Sequence, residues 1–142
     1  MNYGGEVTCQ QCWDALESQE KSQLIDVRTI PEWNFVGLPD VSSLGKEVIL
    51  VEWQQFPTMQ VNQNFQDLVS EALESRGVEK DTPVFLICRS GVRSRFAAEA
   101  VTALGFSATY NVRGGFEGDA DDLAQRGKLS GWKFDELPWR QS

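Results

Sequence analysis

Short apolar runs alternate with amphipathic stretches along most of the chain. Residues 4–8, Gln23-Leu24-Ile25-Asp26-Val27-Arg28, Glu47-Val48-Ile49-Leu50-Val51, Pro83-Val84-Phe85-Leu86-Ile87 and Ser107-Ala108-Thr109-Tyr110-Asn111-Val112 read as strands. The run at 23–28 lacks in–out alternation, as a parallel strand buried on both faces does. Between the strands lie helical spacings. Cys12, Trp13 and Leu16 follow Thr8, a plausible N-cap, and predict a helix to about residue 18. Phe65, Leu68, Val69, Ala72 and Leu73 define a second helix that stops at Gly77. Ala97, Ala98, Ala100, Val101 and Leu104 define a third, which begins near Val92 and ends at Gly105. Strands alternating with helices predict one α/β domain over residues 1–142, built on a mostly parallel five-stranded sheet flanked by helices.

Two stretches interrupt the alternation. Trp53, Phe56 and Met59 follow the third strand and wall either a pocket at that sheet edge or the core, with core the favoured reading. Residues 117–142 read as an insertion and tail. A short helix is expected around 119–125, within an insertion over 118–130, and the tail is expected to pack back through Trp132 and Trp139. That insertion is either a solvated loop or a lid or docking surface.

The chemistry concentrates where the strand at 83–87 ends. Cys88-Arg89-Ser90-Gly91-Val92-Arg93-Ser94 joins that strand to the third helix, at the sheet edge where open α/β folds hold their ligands. Successive N–H groups in a tight loop form an anion-binding nest, and the helix start adds the positive end of its dipole. A thiol at the mouth of such a bowl ionises easily. Cys88 is therefore the candidate nucleophile, with a small anion as substrate. A strand-end cysteine without that context would be a small buried hydrophobe. Arg89 and Arg93 either hold the substrate's oxyanion or pair with carboxylates. Asp26 and Arg28 end a strand at the same edge, and Glu32 is near enough in sequence to pair with Arg28. For Arg28 and Glu32 the reading is scaffold; Asp26 is either support or site. Arg113, at the end of the last strand, either assists anion binding or supports the loop.

Composition narrows the choices. The formal net charge of -8 argues against nucleic acid or an anionic membrane as partner. No apolar stretch is long enough to span a bilayer, and the first residues lack a signal-peptide pattern, so a cytoplasmic protein is expected. Histidine is absent, which excludes the usual Cys–His and Ser–His–Asp arrangements. Three cysteines do not suggest a disulfide framework. Cys9 and Cys12 form a C-x-x-C, read as two small residues in the first helix rather than a redox pair or half a metal site.

The loop Cys88-Arg89-Ser90-Gly91-Val92-Arg93-Ser94 resembles the active-site loop of single-domain rhodaneses, the thiosulfate sulfurtransferases. Asp26-Val27-Arg28 with Glu32-Trp33 is similar to their D-V-R…E-aromatic element, and Asn111-Val112-Arg113-Gly114-Gly115 to the strand end and Gly-Gly turn before their last helix. The resemblance covers about residues 22–116. Rhodaneses usually carry Gly-His-Ile-Pro after the aromatic residue, where this chain has Gly37-Leu38-Pro39-Asp40. The resemblance implies a rhodanese-like fold, and a Cys88 that carries sulfur as a persulfide cradled by the amides of residues 89–94. It also implies a small anionic sulfur donor, a thiol or protein acceptor, and no metal or organic cofactor. Two rivals stay open. A cysteine phosphatase or arsenate reductase uses a similar loop, but the phosphatases place five residues between cysteine and arginine, and here four separate Cys88 from Arg93. A non-catalytic rhodanese-like binding module usually lacks the cysteine.

Overall fold

The computed structural model describes residues 2–141. Its elements are β1 (Gly5–Val7), α1 (Cys9–Ser18), β2 (Gln23–Asp26), α2 (Ile30–Phe35), β3 (Leu38–Pro39), β4 (Ile49–Leu50), β5 (Gln54–Gln55), β6 (Gln60–Val61), α3 (Phe65–Ser75), β7 (Val84–Ile87), α4 (Val92–Ala103), β8 (Thr109–Val112) and β9 (Trp139–Arg140). Five strands form the central sheet in the order β1-β8-β7-β2-β4. Every pairing in it is parallel, with Asp26 opposite Ile87 on β7 and Leu50 on β4.

Strand residues alternate between two buried faces. Ile25, Val27, Leu86 and Cys88 pack with Phe65, Val69 and Leu73 of α3 and with Ala97, Ala98 and Val101 of α4. Leu24, Phe85 and Ile87 point the other way, to Cys12 and Leu16 of α1 and to Phe116 and Trp132. Small side chains on the inner face of α4 let it lie close against β7 and β8. At the start of α1, Thr8 Oγ1 accepts the Gln11 N–H at 3.1 Å and Gln11 Oε1 accepts the Thr8 N–H at 2.9 Å, a reciprocal cap. Among the described residues, no helix is long and apolar enough to cross a membrane.

Three expectations need correction. The third strand is shorter than residues 47–51, spanning Ile49–Leu50, with the Val51 N–H still donating to the Asp26 carbonyl at 3.2 Å. Trp53, Phe56 and Met59 do not act together. Trp53 packs edge-on against Phe65 with ring centroids 5.0 Å apart, whereas Phe56, in the β5–β6 hairpin, is 60% exposed. No helix forms over 119–125. Asp121 Oδ1 instead accepts the N–H groups of Leu123 and Gln125, each at 2.9 Å, and the chain folds into a turn. Short acidic side chains compete in this way for the backbone donors that a helix would use. The tail returns as expected through Trp132, which is wholly buried and donates its Nε1–H to the Pro138 carbonyl at 2.7 Å. Trp139 packs back too, edge-on to Phe116 with ring centroids 6.3 Å apart, although it is 41% exposed on the antiparallel β3–β9 ribbon.

Candidate active site

β7 delivers Cys88 to the sheet edge, and α4 begins four residues later. The turn between them needs Gly91, which caps α4 at φ 107°, a conformation costly for a residue with a Cβ. Outside the loop, the Cys88 carbonyl accepts the Phe116 N–H at 2.8 Å, and the Arg89 carbonyl accepts those of Glu117 at 2.9 Å and Gly118 at 3.2 Å. Those bonds turn the loop's carbonyls outward and leave N–H groups facing in. Cys88 Sγ accepts the Gly91 N–H at 3.2 Å and the Ser94 N–H at 3.3 Å. The arrangement suits a sulfur that bears negative charge. The fit is tight from behind as well: a Cβ on Gly115 would lie 2.5 Å from the Cys88 carbonyl oxygen.

A cavity of about 860 Å³ opens over the sulfur, walled by Arg89, Ser90, Val92 and Arg93. Met59 and Gln54 reach it from the β5–β6 hairpin, and Glu117, Ala124 and Arg126 from the stretch after Gly115. Sequence reasoning missed Arg126. The Gly118 carbonyl, which accepts from its Nη1 at 2.7 Å, holds it in place, and only the closed turn over 118–127 brings it back to Cys88.

The ion pairs differ from expectation. Glu32 does not pair with Arg28. It takes Arg93 in a two-bond fork, at 2.8 and 2.9 Å, from the first turn of α2. Its Oε1 also accepts the N–H of Thr29 at 3.1 Å and the Thr29 hydroxyl at 2.9 Å. Arg28 instead bonds Asp26, two residues back on the same side of the extended chain, with Nη2–Oδ2 at 2.7 Å. Both are wholly buried. The Arg28 guanidinium also donates to the Gly37 carbonyl at 2.7 Å and lies 4.3 Å over the Phe116 ring. The Asp26–Arg28 pair thus ties β2 to the loop after α2, and neither residue lines the cavity. Arg113 is exposed and borders a separate depression beside Cys9, Asp119 and Asp135. Cys9 and Cys12 are free, buried thiols packed in the other core cluster from Cys88. Burial and the Asp135 charge push the Cys9 thiol up to about 12, and burial raises Cys12 well above its ordinary value.

Burial by itself would raise the Glu32 carboxyl, but the Arg93 fork and the Thr29 donors outweigh it and hold it at about 2, against an ordinary 4.5. A carboxylate depressed in the folded state adds stability that is complete above the unfolded value and is lost as pH falls through the folded one. Glu32→Gln should therefore be less stable than wild type at neutral pH. The gap should shrink from about pH 4.5 downward and be largely gone near pH 2, as urea melts across that range would show. A gap that does not change with pH would mean that Glu32 contributes through packing.

The STR4 middle domain family matches residues 4–142. The uncharacterized protein RC0915 of Rickettsia conorii is 35% identical over 130 residues, 92% of each chain. The crystal structure of Rv0390 from M. tuberculosis superposes with a TM-score of 0.88 at 42% identity and covers 99% of both chains. Thiosulfate sulfurtransferase GlpE of Glaesserella parasuis is 26% identical over 113 residues, 80% of this chain and 83% of GlpE. On the match over residues 4–142, the chain belongs to the STR4 middle domain family, with a rhodanese-like fold.

Proposed function

We propose that the protein is a sulfurtransferase that carries sulfane sulfur on Cys88. The observation that supports this most is the seating of Cys88 Sγ beneath inward-facing N–H groups at the start of α4. The likeness to GlpE, a thiosulfate sulfurtransferase, points the same way. In the first step the Cys88 thiolate attacks the outer sulfur of thiosulfate or another persulfide donor. With thiosulfate the S–S bond breaks and sulfite leaves with the electron pair. The product, Cys88–S–S⁻, puts its charge where the loop amides and the helix dipole face it. In the second step cyanide or a thiolate attacks the outer sulfur, and the Cys88 thiolate is released. Neither step needs a metal or an organic cofactor.

Arg93 is engaged by Glu32, so Arg89 and Arg126 are the guanidinium groups left to meet the donor's oxyanion at the cavity wall. Ser90, Gly91, Val92 and Ser94 shape the bowl. The free, buried thiols Cys9 and Cys12 suit a reducing, cytoplasmic setting.

Intact mass after incubation with thiosulfate tests the reading: wild type should gain one sulfur atom. Aryl phosphate hydrolysis should be negligible, because a loop with four residues between Cys88 and Arg93 is too tight for a tetrahedral phosphoryl group on the sulfur. Dephosphorylation through Cys88 without any sulfur adduct would replace this reading with a phosphatase.

A further inference from the structure

Asn111 approaches the reactive sulfur from β8, on the side away from the cavity. It is 1% exposed. Its Nδ2 donates to Glu6 Oε1 at 2.9 Å and to the Gly91 carbonyl at 3.0 Å. Both partners are acceptors, so turning the amide over would set oxygen against oxygen. The amide is thereby fixed with Oδ1 towards Ser94, whose hydroxyl lies within hydrogen-bond distance of it. The same hydroxyl oxygen is 3.2 Å from Cys88 Sγ. One hydroxyl proton thus stands between two acceptors, a buried amide oxygen and the sulfur.

We propose that Asn111 is a positioning residue, which commits the Ser94 proton to its own carbonyl and leaves an ionised Cys88 held by backbone N–H groups alone. The proposal rests on the reading of Cys88 as the nucleophile. If Ser94 turned to the sulfur, Asn111 Oδ1 would be left buried without that donor. Whether Cys88 is thiol or thiolate, the Ser94 hydroxyl keeps donating to Asn111. A hydroxyl bonded to the thiolate would stabilise the resting sulfur and blunt its attack. It would do less for the persulfide, whose charge lies on the outer sulfur. Asn111 therefore favours sulfur uptake by withholding a donor.

The charged groups facing Cys88 are Arg89 of the loop, Arg93 of α4 with its partner Glu32 of α2, and Glu117 and Arg126 across the cavity. Glu6 of β1 stands behind Asn111. Asn111→Ala deprives Glu6 of an amide donor, so the change due to the hydroxyl is the part that adding Ser94→Ala removes.

The test is the pH profile of Cys88 alkylation by iodoacetamide, read by peptide mass. Asn111→Ala should move the profile to lower pH and reduce the rate on its high-pH plateau, since the freed hydroxyl now binds the thiolate. Ser94→Ala should not move the profile to higher pH, since it takes no hydroxyl donor from the thiolate. Adding Ser94→Ala to Asn111→Ala should bring the profile to that of Ser94→Ala alone. A folded Asn111→Ala whose profile does not move, or moves up, overturns the proposal. So does a Ser94→Ala profile displaced to higher pH, which would mean that the hydroxyl already serves the thiolate. If Asn111→Ala fails to fold by circular dichroism, Ser94→Ala, which removes a single oxygen atom, decides alone. A wild type that alkylates normally at Cys88 yet takes no sulfur from thiosulfate would sink the sulfurtransferase reading and leave these profiles interpretable.

Discussion

Cys88→Ser should lose thiosulfate:cyanide sulfur transfer by at least about a thousandfold while keeping its fold. The side chain is nearly isosteric and 1% exposed, and the Gly91 and Ser94 N–H groups that meet the sulfur can meet a hydroxyl oxygen instead. The chemistry does not survive the exchange. A serine hydroxyl stays protonated at neutral pH, and an oxygen nucleophile attacks a sulfane sulfur poorly. It also forms no persulfide that could pass sulfur on. The expected readout is loss of thiocyanate formation together with loss of the one-sulfur adduct. Cys9→Ser with Cys12→Ser should keep nearly full activity, because both thiols are buried in the other core cluster and held protonated. Turnover that survives in Cys88→Ser, or vanishes in a folded double variant, would move the reactive sulfur to the C-x-x-C.

The largest stability effect should come from Asp26→Ala. It leaves the Arg28 guanidinium, wholly buried, without its carboxylate. Removing one partner of a buried pair costs about 3–5 kcal/mol, a large part of the 5–15 kcal/mol that holds a domain together. A fall in Tm of roughly 10–20 °C follows for a chain of this size. Asp26→Ala combined with Arg28→Met should recover much of it, since the charge goes and the stem that covers Phe116 remains. If the double variant melts no higher than the single one, the loss comes from the packing of β2 and not from a stranded charge.

The central sheet was legible because β7 is one uninterrupted apolar run and β2 sets Leu24 beside Ile25, patterns that suit a strand covered on both faces. The loop at Cys88 was legible for a related reason: its thiol, glycine and arginines are contiguous in sequence. Partnerships across the chain were not. Glu32 finds Arg93, which is 61 residues away, while Arg28 turns back two residues to Asp26. Charge type alone cannot choose between such pairings. α2 did leave a signal that went unread, with Thr29 three residues before Glu32 and Pro31 in the first turn. The opposite error occurred at 119–125, where acidic residues between Gly118 and Gly127 suggested a helix and made a turn. Asn111 opened the stretch 111–115 that resembles the rhodanese Gly-Gly turn, but nothing in the sequence assigned it a role. It read as one polar residue in a strand, and only the pairing of β8 beside β7 sets it behind the sulfur.

The outward-turned carbonyls of Cys88 and Arg89 also give the active loop a history. The amides that hold them belong to Phe116, Glu117 and Gly118, which a ribosome adds about 30 residues after the cysteine. At about 5–20 residues per second, the nascent chain carries Cys88 for a few seconds before those clasps exist. During that interval nothing holds the Cys88 and Arg89 carbonyls outward. The bowl takes its shape only once the chain beyond Gly115 has folded over the loop.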